Sequence, residues 1–155
     1  MSKLILILSL VILPIISFGQ ISENEFEKTI EWINQNPSEP DNKEFVSKSA
    51  DLIKFQLFKH PDFAINISGI KELDKEWKGH RYEKYFLIAY SYNQLYYKLK
   101  NEKFDNLNAS VFSIKKLIES YSKIIESNPE LKIGTLDEYK KLDETELKKR
   151  IKKLI

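Results

Sequence analysis

Cysteine is absent from this 155-residue chain, which excludes disulfide staples, thiol nucleophiles and thiolate metal sites. Stability has to come from packing. Histidine is scarce: His60 and His80 are the only two, each beside a loop residue, and no H-x-x-x-H pair exists. A transition-metal site would need carboxylates that only the fold could bring together. Glycine occurs four times, three of them beyond residue 19, so there is neither a Gly-rich phosphate loop nor a G-x-S-x-G nucleophile elbow. Neither sign of charge dominates. The 25 basic and 23 acidic residues leave a net charge of +2, a balance that argues against a nucleic-acid partner. The acidic side chains read as solvated helix faces, and a glycosidase-type carboxylate pair has no sequence spacing by which to be recognised. We assign no catalytic residue, no metal ligand and no cofactor from the sequence.

The first twenty residues differ in character from the rest. Met1–Gln20 carries one positive charge, Lys3, then an apolar run from Leu4 to Ile16, then the small residues Ser17 and Gly19. That is the order of a secretory signal peptide. The run falls short of the roughly 20 residues of a membrane span; an uncleaved N-terminal anchor is the other reading. We expect cleavage after Gly19, so that 1–19 is the signal peptide and 20–155 a single domain. A lipoprotein would need a cysteine at the cut. The expected location is the periplasm of a two-membrane cell or the extracellular space.

What the chain has in abundance is tyrosine, concentrated in one place. His80–Lys100 (HRYEKYFLIAYSYNQLYYKLK) contains six of the eight tyrosines, with no Gly and no Pro. It reads as a long helix, roughly 30 Å from end to end. At 100° per residue Tyr82, Tyr85, Phe86, Ala89, Tyr92, Tyr96 and Leu99 share a face, widened by Ile88, Tyr90, Leu95 and Tyr97. Glu83, Lys84, Ser91, Gln94 and Lys98 fall on the opposite side. Phe86 and its neighbours are therefore expected in the core. Asn93 sits amid the apolar face, where an unpaired amide costs about 1–3 kcal/mol. Either Asn93 ties down a neighbouring loop, or Tyr90, Asn93 and Tyr97 line an aromatic ligand groove.

The remaining stretches read as shorter helices around this one. Ser22 with Glu25 is a capping box, with Ile21 and Phe26 placed as a hydrophobic staple; that helix stops before Pro37, with Trp32 off its apolar face. Asp41 with Glu44 opens a second, broad-faced helix to about Lys59, the expected closest partner of the central one. Asp62–Gly69 (DFAINISG) alternates like a strand, but no second strand is available, so an extended or single-turn connector is expected. Ile70, Leu73 and Trp77 make a short helix closed by Gly79. Asn106 or Asn108 caps an amphipathic helix from Leu107 to Ile125 that ends at Pro129. Thr135 with Glu138, and Asp143 with Glu146, give two further capping boxes. The tail, Leu147–Ile155, sets five cations along a narrow apolar seam. Cations suit a helix C-terminus; contact of 147–155 with anionic lipid is the lesser reading.

Tyr121, Ile124, Ile125 and Pro129 are spaced in a way that is similar to the second half of a tetratricopeptide repeat. The upstream Trp, Leu-Gly and Tyr of that pattern are missing, and Pro37, Pro61 and Pro129 are not separated by multiples of its period. We assign no family. The sequence is that of an all-α, single-domain array of about five to seven helices around the 82–100 helix. The leading expectation is a non-catalytic binding or inhibitor-type module whose partner is another envelope or secreted protein. A tetratricopeptide-like adaptor and an envelope enzyme with a site hidden in the fold are the alternatives.

Overall fold

The computed structural model describes residues 21–155; the expected signal peptide and its cut after Gly19 lie outside the described residues. Among the described residues there are seven α-helices, two short 3₁₀ turns and no strand. Capping chemistry sets most of the helix starts. Helix α1 (Glu23–Gln35) opens on the Ser22 and Glu25 capping box. Helix α2 (Lys43–Lys59) is capped one residue later than expected: the Asn42 side chain, not Asp41, accepts from the Glu44 and Phe45 N–H groups. A 3₁₀ turn (Ile67–Ile70) and the single-turn α3 (Asp74–Trp77) lead to Gly79, whose φ of +78° needs a glycine.

The central helix α4 spans Glu83–Lys100 and packs most extensively on α5 (Asn106–Ser127). The N-cap of α5 is Asp105, one residue before Asn106 and three before Asn108, the two asparagines expected in that role. After a 3₁₀ turn (Pro129–Leu131) come α6 (Gly134–Tyr139) and α7 (Glu144–Lys152). Helix α7 has the expected capping box from Asp143 and Glu146. Helix α6 does not have one: Thr135 turns to Glu76 instead, donating both its N–H and its hydroxyl. That contact ties α6 to α3 across the sequence.

Helix α4 is the centre of the core. Tyr85, Phe86, Ala89, Tyr90 and Leu95 are fully buried, and Phe86 stacks on Trp77 of α3 at 5.7 Å. Tyr96 is only half-buried. Two expectations need correction. Gln94 is not on a solvent side; it is fully buried, because the 63–70 connector lies over that part of the helix. And the closest partner of α4 is α5 rather than α2, which packs chiefly on α1. Helix α2 turns Phe45, Ser49, Leu52 and Phe55 inward and leaves Val46, Ile53, Leu57 and Phe58 outside. The tail resolves simply. Leu147 and Ile151 are buried against the core, so the apolar seam of α7 faces inward, while Arg150 pairs with Glu72 and Glu138. No helix among the described residues is long and apolar enough to cross a membrane.

Because Phe86 lies at the junction of α3 and α4 with no exposed surface, Phe86→Ala should lower the unfolding free energy by about 3–5 kcal/mol. Denaturant titration of the two proteins measures this. A wild-type midpoint in the variant would remove α4 from the centre of the fold.

Candidate functional site

The three residues singled out in the sequence do not come together on one surface. Tyr90 is fully buried, and its hydroxyl bonds the Asn66 carbonyl at 3.0 Å and the Ser110 hydroxyl at 3.1 Å. Burial raises its pKa to about 12, against a smaller opposing effect of the Ser110 bond. Asn93 is also fully buried. Its amide pairs with the Asn34 amide on α1 in both directions, at 2.8 and 3.0 Å, and donates to the Ala89 carbonyl. Tyr97 is half-buried elsewhere, beside Phe112 in a cleft of about 190 Å³ with Lys115, Glu144 and Lys148.

The polar groups near Asn93 serve the end of α1, whose last carbonyls have no partners within the helix. Tyr85 donates to the Ile33 carbonyl, Ser120 to that of Asn34 and Lys123 to that of Gln35. A polar cleft of about 580 Å³ lies outside Asn34, but its charges are taken up: Tyr96 donates to Glu31, and Lys116 pairs with Glu119. His80 is similarly occupied. Its Nε2 meets the Leu131 carbonyl at 3.1 Å and its Nδ1 accepts the Tyr82 N–H, with no carboxylate on either nitrogen. His60 lies against Phe55, and desolvation lowers its pKa, aided by the charge of Lys98. No group of His, Asp and Glu among the described residues is placed to hold a metal ion.

An open apolar surface lies between α2 and α4. Phe45 meets Tyr85 near the start of both helices, at 5.8 Å. At the far end Gln56 reaches the Phe63 carbonyl, and Lys98 lies over the Phe63 ring. The two helices therefore run in the same direction with a trough between them. Its volume is about 480 Å³. Val46, Ala50 and Ile53 form one wall, Leu87 and Ile88 the other, and Ser49 lies at the base. Val46 is 51% exposed, Ile53 42% and Leu87 38%.

The trough follows from the helix period. Val46, Ala50, Ile53 and Leu57 stand at i, i+4, i+7 and i+11, within about 60° of one another round α2. They form a second apolar stripe beside the one that enters the core. Fully burying a Val, Ile or Leu is worth about 1.5–3 kcal/mol. Leaving three of them open forgoes several kcal/mol that a partner can recover. Ser49 adds a polar signal: it is 92% buried by the complement of its 8% exposure, and its hydroxyl is the one buried side-chain polar atom among the described residues without a hydrogen-bond partner. The breadth of α2 was visible in the sequence, but which of its apolar residues stay outside was not.

Asn93→Ala should lower the unfolding free energy by about 1–3 kcal/mol, because it removes the paired amide bonds to Asn34 and the bond to the Ala89 carbonyl from a fully buried position. Thermal melting checks this. An unchanged melting temperature would exclude a structural tie and return Asn93 to the role of a binding contact. Comparison with family models, with curated proteins and with solved structures finds no match for this chain.

Proposed function

We propose that the protein is a non-catalytic binding module, exported to the cell envelope, that holds a helix of another envelope or secreted protein in the trough between α2 and α4. The observation that carries this reading is the uncovered stripe Val46–Ala50–Ile53–Leu57 beside Leu87. Two helices in the same direction with an apolar furrow between them offer the geometry into which an amphipathic helix lays its own i, i+4, i+7 face. The stripe runs over twelve residues of α2, from Val46 to Leu57, roughly 16 Å from first to last, about three turns of a bound helix. The trough is open, whereas a small-molecule pocket encloses most of its ligand. Export rests on the Lys3, Leu4–Ile16, Ser17 and Gly19 pattern.

A photo-crosslinking side chain at Ile53, in the full chain made by its own cells, tests the proposal. Position 140, on the exposed surface at the end of α6, serves as the control. The expected result is a discrete adduct with one protein of the envelope fraction from position 53 only. Its attachment points should fall at helical spacing, and Leu87→Glu should abolish it. Equal adducts from both positions, or none from position 53, would refute the assignment of the trough.

A further inference from the structure

The described fold begins one residue after the expected new N-terminus. Cleavage after Gly19 would leave Gln20 as the first residue of the mature chain. Its neighbour Ile21 is packed against the core, and Ser22 is already the N-cap of α1. Glu25 closes the capping box there: its carboxylate accepts both the N–H and the hydroxyl of Ser22, each at 2.7 Å. The free amine of the mature chain would thus belong to the residue two before a helix N-cap. A charged amine is badly suited to that place. The first N–H groups of a helix already present positive partial charge, so a further cation there is unfavourable. An ammonium would also offer Glu25 a partner in competition with Ser22.

Resting on the export reading above, we propose that Gln20 is a modification site and that the mature protein begins with pyroglutamate. The α-amine of Gln20 attacks its own side-chain carboxamide carbon, Cδ. An N–C bond forms and closes a lactam ring, the bond from Cδ to Nε2 breaks, and ammonia leaves with the proton that the amine gives up. The step needs no oxidant and no second substrate. Both reacting groups belong to one residue, so no association entropy is lost. The position of the cut decides the outcome. A cut one residue earlier would leave Gly19 first and one residue later would leave Ile21, and neither side chain can close this ring. The lactam carries no charge, so the terminus no longer opposes the dipole of α1, and Glu25 is left to Ser22. The ring also removes the free amine by which an aminopeptidase would trim Gln20 and then Ile21, up to the Ser22 cap.

Intact mass and stepwise N-terminal sequencing of the full chain, made and processed by its own cells, provide the test. The expected mass is that of residues 20–155 less one ammonia. The terminus should resist sequencing until a pyroglutamyl peptidase removes the first residue. Gln20→Ala should give a freely sequenced terminus, which separates ring closure from acylation of the amine. A chain that starts at Gln20 with its amine and carboxamide intact would overturn the lactam and leave export standing, as would a terminus that is blocked in Gln20→Ala as well. A chain that keeps residues 1–19 would overturn the lactam and the cut together. The cross-link from position 53 tests the trough separately and does not depend on any of these results.

Discussion

The fold depends on hydrogen bonds that reach outward from the buried face of α4 to the end of α1 and to the 63–70 connector. Burying tyrosine, asparagine and glutamine is unfavourable unless each polar atom is satisfied. Each of these side chains on α4 that is fully buried solves the problem by bonding either the last turn of α1 or the 63–70 connector. Tyr85 bonds the last turn of α1, and Asn93 pairs with Asn34 at the same helix end. Gln94 uses both ends of its amide on one residue, accepting the Asn66 N–H and donating to the Asn66 carbonyl, each at 3.0 Å. In effect a side chain takes the place of a neighbouring strand. Tyr90 reaches the same carbonyl, and Gly69 is what lets the connector come so close: a Cβ there would lie 2.5 Å from the Tyr90 hydroxyl.

This arrangement also accounts for the trough. Helix α4 directs its buried polar groups to α1 and to the 63–70 connector, and its broad apolar surface to α5. Helix α2 is therefore covered mainly by α1, on the face that bears Phe45, Leu52 and Phe55. Nothing in the described chain lies over its second stripe. A buried, packed centre beside an unfilled furrow suits the binding module proposed above, because a pre-formed surface loses little freedom when it is occupied.

Several elements were legible in the sequence because local chemistry alone determines them. The Ser22–Glu25 and Asp143–Glu146 boxes, the stops near Pro37 and Pro61, and the burial of Tyr85 and Phe86 all follow from spacing and period. Other features depended on distant neighbours. Thr135 has the spacing of a capping box with Glu138, yet Glu76, fifty-nine positions away in sequence, takes its N–H. Gln94 reads as a surface residue on the helix period, yet the connector at Asn66 covers it. Tyr90, Asn93 and Tyr97 look like a groove when only α4 is considered, because the strand-like connector and the end of α1 are what occupy Tyr90 and Asn93. The trough was hidden for a related reason: an apolar residue on a broad helix face is assigned to the core or to the surface only by the other helices.

The central claim, that the tyrosines of α4 and its neighbours are held in the interior by the fold, is tested most directly by following tyrosine ionisation and helical circular dichroism together as pH rises. Burial raises Tyr90, Tyr92 and Tyr121 to about 12, and raises Tyr85 and Tyr139 as well. In the unfolded chain these groups ionise near 10. The unfolded state therefore releases protons first. Stability is fully present below about pH 10 and is lost as pH climbs towards 12. The account predicts that these five tyrosines stay protonated through pH 10 and ionise in one cooperative step, together with the loss of helix. Smooth ionisation of all eight tyrosines near pH 10, with the helical signal intact, would contradict it.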